Sequence, residues 1–143
     1  MTEQTEVKKD TLREVVIQYL KQHPAIKQSP LKGVFPETIP QGFKQPAAAA
    51  VSRTFTDRKR SKLGLTGITE SRVSITVAAR RKLDAARGSD AIETALVGFF
   101  RGDMGGLTIK SIALDDQDDF YDDEVDSYLI ASVYNIWHEN EKE

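Results

Sequence analysis

Strict alternation that gives way to a helix-rich run constrains this chain more than any other feature. The stretch 72–100 reads RVSITVAARRKLDAARGSDAIETALVGFF. In an extended chain Arg72, Ser74 and Thr76 fall on one side and Val73, Ile75 and Val77 on the other. That pattern predicts a half-buried strand with its β-branched residues inward. Residues 78–87 then predict a short basic helix with Leu83 as its main apolar contact, stopped by Gly88. Asp90 and Glu93 are spaced as a capping box for a further helix. Ile92, Ala95, Leu96, Phe99 and Phe100 give that helix a full apolar face and make it the expected centre of the core.

The rest of the chain arranges itself around this unit. Residues 1–9 are polar and are expected to be a disordered lead. Thr11 and Glu14 suggest a helix start, and Leu12, Val15, Val16, Tyr19 and Leu20 recur at helical spacing until Pro24. All five prolines lie in 24–46, interleaved with Leu31, Val34, Phe35, Ile39 and Phe43. Such a segment excludes a long helix or a central strand and predicts an ordered, wrapping connector. Pro46 and four alanines predict a second helix over 46–62, ending before Gly64. Residues 107–114 predict a strand. The acidic segment 115–126 then leads into an expected last helix, with Val125, Leu129, Val133 and Ile136 on one face and Tyr128 and Trp137 beside it. The expected fold class is α+β: one helix-dominant domain over 10–140 with one or two short strands.

With 143 residues the chain can bury a core as one domain. It has no cysteine, which excludes disulfides, a thiol nucleophile and thiolate zinc sites. No apolar run approaches the roughly 18 residues of a membrane span. The start, MTEQTEVKKD, lacks the apolar core of a signal peptide, so the expected location is cytoplasmic. The two histidines, His23 and His138, lie far apart and outside any triad pattern, and His138 is expected at the surface. Phosphate-loop motifs are missing, and the glycines at 102–106 predict a turn. The acidic run lacks the central glycine of a calcium loop and is interrupted by Phe120 and Tyr121. The expectation is a non-enzymatic protein without cofactor or metal.

Charge is strongly segregated. Residues 44–110 carry thirteen Lys/Arg against six Asp/Glu, a net of +7, whereas 111–143 carry one against eleven, a net of −10. Arg53, Arg58, Lys59, Arg60, Lys62, Arg72, Arg80, Arg81, Lys82 and Arg87 fall within one short span. That density suits phosphate neutralisation, and Arg72, Ser74 and Thr76 could all donate to bases or phosphates. The order of strand, 78–87 helix and capped helix resembles a ribbon-helix-helix module. That likeness implies a dimer whose paired strands enter the DNA major groove. Residues 67–74, GITESRVS, also look like the turn and recognition-helix start of a helix-turn-helix, which would make the same residues helical. The leading expectation is therefore a small DNA-binding regulator, a homodimer, using Arg53, Arg58, Lys59, Arg60, Lys62, Arg72, Ser74, Thr76, Arg80, Arg81 and Lys82. The alternative is a protein-binding accessory module, a subunit or inhibitor of a larger assembly, with the proline-rich connector and the acidic segment 115–126 as its interfaces.

Overall fold

The computed structural model describes residues 11–40, 46–61, 64–99 and 101–139, with 55, 57–61 and 64–66 described by backbone alone. Helix α1 (Thr11–Gln22) and the short α2 (Pro24–Lys27) lead into strand β1 (Leu31–Pro36). A long hairpin follows, β2 (Ala47–Ser61) and β3 (Gly64–Ala79), then helix α3 (Lys82–Val97). The short β4 (Gly102–Met104) and a second long hairpin, β5 (Leu107–Asp122) and β6 (Ser127–Glu139), complete the chain. The six strands form one sheet in the order β1-β2-β3-β6-β5-β4. Only the β1–β2 pair is parallel.

The alternation at 72–77 behaves as its periodicity requires. Val73, Ile75 and Val77 are buried against the helices, while Arg72 is exposed and Ser74 and Thr76 are half-buried on the opposite face. β6 mirrors this: Ser132, Tyr134, Ile136 and His138 are buried, and the odd-numbered residues face the other way. Helix α1 packs on both margins of the sheet, touching β1 and β4, so the sheet curls around the helices as a half-barrel. Tyr19 of α1 donates its hydroxyl to the Ala95 carbonyl at 2.7 Å and packs edge-on against Phe99, joining α1 to α3. Burial raises the pKa of the Tyr19 phenol.

The fold is strand-dominant, and the expected helix-dominant α+β class is corrected. Two segments account for the difference. Residues 46–62 were expected as a helix, yet 47–61 form β2, paired with β3 from Ala47↔Ala79 to Ser61↔Gly64. Alanine's helix preference is below about 1 kcal/mol per residue, and burial on a ladder outweighs it. Ala47, Ala48, Ala49 and Ala50 are at most 8% exposed, and the small side chains of Ala47 and Ala49, on the core face, let the helical layer sit close to the sheet. The expected last helix is β6, and the acidic segment forms the outer half of β5 and its turn. Apolar residues of both parities, Leu129 and Val133 against Ile130 and Ile136, create a helical stripe by coincidence. In the strand, Leu129 and Val133 leave the core that holds Ile92 and Leu96.

Both DNA-binding motifs lose their structural basis here. β3 is paired on one side with β2 and on the other with β6, so it has no free edge for a twin. Residues 67–74 lie within β3, so no recognition helix exists there. The two expected helices at 78–87 and 90–100 are one helix, α3, with Gly88 in its interior. Gly88 stops nothing. A Cβ there would come within 3.1 Å of Leu31 Cγ and Val77 Cγ1, so the glycine sets the close approach of α3 to the sheet. Residues 102–107 do turn: Gly105 and Gly106 have φ of 59° and 95°, as a two-residue hairpin turn requires, and the Gly106 amide donates to Asp103 Oδ1 at 2.9 Å.

Leu96→Ala is expected to cost about 2–5 kcal/mol and Gly88→Val about 1–3 kcal/mol, both read from urea unfolding. Losses below about 0.5 kcal/mol in both would place α3 off the sheet. Tyr134 gives a test of the opposite sign. Its hydroxyl is buried with no hydrogen-bond partner among the described residues, and burial, then the charges of Glu93 and Asp90, raise its pKa. Tyr134→Phe is expected to be neutral or to stabilise by about 1 kcal/mol, since an unsatisfied buried hydroxyl costs about that much. A loss above about 2 kcal/mol would mean that the hydroxyl is bonded.

Candidate interaction surfaces

The basic residues are spread along the sheet rather than gathered on one patch. Arg58, Lys59 and Arg60 lie on β2 near the tip of the first hairpin, with Arg58 opposite Thr69 and Arg60 opposite Leu65. Lys62 lies outside the described residues. Arg72 sits mid-sheet and pairs with Asp115 at 3.2 Å across the intervening β6. Both side chains are more than two-fifths exposed, so this bridge contributes about 0–1 kcal/mol. Ser74 and Thr76 follow on the face that the helices leave uncovered. Arg80, Arg81 and Lys82 are exposed at the turn into α3, with Arg80 about 26 Å along the chain from Arg72 at roughly 3.3 Å per residue. Arg81 stands 3.9 Å from Asp84, beside a groove that also collects Arg87 and Asp90, so both signs of charge meet there.

Arg53 is turned into the structure. Its Nη2 donates to Ser71 Oγ at 2.9 Å, and Ser71 Oγ lies 2.9 Å from His138 Nε2. His138 Nδ1 lies 2.6 Å from the Glu139 carbonyl oxygen, which can only accept. Nδ1 therefore carries the proton, Nε2 accepts from the Ser71 hydroxyl, and Ser71 accepts from Arg53. One directed chain thus ties β2, β3 and β6 where the first hairpin leaves the body. His138 and Ser71 are fully buried, which corrects the expected surface position of His138. The signal was present in the sequence: His138 belongs to the even-numbered, inward series of β6. A serine beside an imidazole also suggests nucleophilic chemistry, but neither side chain lines any of the described grooves.

The second hairpin carries the other surface. Beyond Leu114 every β5 residue up to Tyr121 is exposed. Lys82, Ala85 and Ala86 of α3 face Asp119, Phe120, Tyr121, Tyr128, Leu129 and Ile130 across a groove of about 230 Å³. Phe120 is 48% exposed, Tyr121 44% and Val125 60%, and Leu83 near the start of α3 is 49% exposed. Phe120, Tyr121, Tyr128, Leu129 and Ile130 around one groove, with Asp119 beside them, have the composition of a protein-contact surface. Tyr121 stacks obliquely on Tyr128 at 4.8 Å and donates its hydroxyl to Asp126 Oδ1 in the turn. That bond, then desolvation and nearby carboxylates, push the Tyr121 pKa up to about 12. Deeper in, Gln117 Nε2 donates to Ser89 and Ser132 at 3.0 Å each and anchors the hairpin to α3. Among the described residues no three His, Asp or Glu side chains gather as a metal site. No helix among them is long and apolar enough to cross a membrane.

No family model and no curated protein matches the chain. Among solved structures, one chain of the virion of a native gene transfer agent particle aligns with a TM-score of 0.65 at 18% identity. The alignment covers 90% of this chain and 95% of that one, so the two share a fold over nearly their whole length. A structure from Akkermansia muciniphila, determined without its transmembrane region, aligns at TM-score 0.32 and 10% identity over 64% of this chain and 46% of that one, too low to carry an argument. The expectation of a DNA-binding transcription regulator is corrected on this ground: the strand it rested on is internal, and the shared fold is that of a virion-particle chain.

Ser71→Ala is expected to cost about 1–3 kcal/mol, because it removes a buried hydroxyl bonded to both Arg53 and His138. An unchanged unfolding midpoint would mean that water replaces the hydroxyl. In a spectrophotometric titration Tyr121 is expected to ionise well above the ordinary value of 10, and Asp126→Asn is expected to bring it down. The sign follows from the raised value: the bond is complete below pH 10 and is lost as pH rises through about 12. Identical titration curves for the two proteins would show that the bond does not form in solution.

Proposed function

We propose that this chain is a non-catalytic structural component of a multi-protein particle and that it works by binding other proteins. One observation carries this proposal: the fold matches, over nearly the full length of both chains, that of one chain in the virion of a gene transfer agent. Exposed Phe120 and Tyr121, which line the groove between α3 and the second hairpin, support it as the contact surface, and Leu83, next in sequence to groove residue Lys82, is also exposed. The groove between α3 and the second hairpin is the place where a partner's apolar side chain would anchor.

The chain, tagged and expressed in its native host, is expected to sediment with high-mass particles on a density gradient. Leu83→Ser with Phe120→Ser is expected to leave stability within about 1 kcal/mol, because both side chains are half exposed, and to move the chain to the top of the gradient. Wild-type chain found only at the top, in cells that make particles, would refute the proposal. Retention of the double variant in the particle fraction would place the contact elsewhere on the molecule.

A further inference from the structure

The sheet ends on two long margins that its short edge strands leave open. β4 covers β5 only over 107–109, and among the described residues no strand lies outside β5 from 110 to 122. β1 covers β2 only over 47–51, and no described strand lies outside β2 from 54 to 61. A bare strand margin presents a row of backbone N–H and C=O groups that can pair with another strand. The two margins carry opposite charge. Residues 110–122 hold Lys110 against Asp115, Asp116, Asp118, Asp119 and Asp122, and 54–61 hold Arg58, Lys59 and Arg60 against Asp57.

We propose that the open margin of β5 in one molecule pairs with the open margin of β2 in a second copy of this chain, extending the sheet from copy to copy. Strand direction permits it. β2, β3, β6 and β5 alternate in direction across the sheet, so β2 of a copy placed next in the same orientation runs antiparallel to β5. Charge selects this pairing over the alternatives. Joining β5 to β5 brings carboxylates together and joining β2 to β2 brings cations together, whereas β5 to β2 joins opposite signs. The contact uses two different surfaces of the molecule. It is therefore heterologous, and of two paired copies one keeps its β2 margin and the other its β5 margin for a further neighbour. The 54–61 margin lies toward the sheet end at Glu139 and the 110–122 margin reaches the other end at Ser127, so successive copies are offset along the strands to bring the two together. This self-pairing goes beyond the particle proposal and is tested on the purified chain alone, so either can fail without the other.

The test is a charge swap read by analytical ultracentrifugation. Asp116→Lys, Asp118→Lys and Asp119→Lys together give 110–122 four cations against Asp115 and Asp122, so both margins are then basic. Arg58→Glu with Arg60→Glu makes both acidic. The wild type is expected to associate with rising concentration. Each of the two charge-swapped variants alone is expected to associate at least about tenfold more weakly, because like charges then face each other. An equimolar mixture of the two variants is expected to regain association, since each basic margin meets an acidic one; this also shows that both variants are folded. Hydrogen exchange of the wild type is expected to slow at the amides of 110–122 as concentration rises. A wild type that stays monomeric at every concentration overturns the proposal. So does a mixture that associates no better than its components, or association that leaves 110–122 unprotected.

Discussion

β3 is hydrogen-bonded along both flanks, to β2 from Ala47↔Ala79 outward and to β6 over twelve register pairs, and every other element takes its place from that strand. A slip of one residue would turn Val73, Ile75 and Val77 out and drive Arg72, Ser74 and Thr76 under the helices. Burial of the three apolar side chains therefore fixes the register, and β6 inherits it through Tyr134 and Ile136. The directed chain from Arg53 through Ser71 to His138 locks the same three strands at their far end. Close packing completes the arrangement: Gly88 brings α3 down onto Leu31 and Val77, and α1 bridges the two margins of the curled sheet.

This arrangement accounts for the segregation of charge. The tip of the first hairpin lies beyond the end of β6 at Glu139, and the tip of the second lies at its start, at Ser127. Arg58, Lys59 and Arg60 and the acidic block at 115–126 thus belong largely to opposite ends of one sheet. Arg72 and Asp115 meet across the middle. Two blocks that a linear sequence suggests should neutralise each other within one molecule are held apart along the strands. Carboxylates along the outer strand also guard a margin that would otherwise pair without selection.

Part of the fold was legible in the residues because local pattern and tertiary environment agreed. The strand at 72–77, the helix from Thr11, the apolar face of Ile92 and Leu96 and the glycine turn at 102–106 all appear where periodicity and backbone chemistry put them. The misread segments are those where a tertiary contact overrode a local preference. Four alanines favour a helix until they are buried on a ladder. Aspartates resemble the charged start of a helix until the residues after them, rich in Tyr, Ile and Val, pair as a strand. Gly88 looks like a stop because its Cβ-free contact with Leu31 and Val77 is invisible without the sheet beneath it. The candidate surfaces were half legible. The acidic segment stood out by its charge, but the groove beside it, with Phe120 at its lining, exists only once α3 and the hairpin are brought together. Arg53, counted with the outward cations, is spent on Ser71.

The central claim is that β3 lies between β2 and β6, with 127–139 a strand. Solution NMR tests it directly. Close interstrand Hα–Hα contacts are expected at alternate pairs along the β3–β6 register, from Glu70 with Trp137 to Ala78 with Leu129. Sequential amide–amide contacts with i, i+3 connectivities through 127–139, and no contact from that segment to β3, would make it a helix and contradict the account.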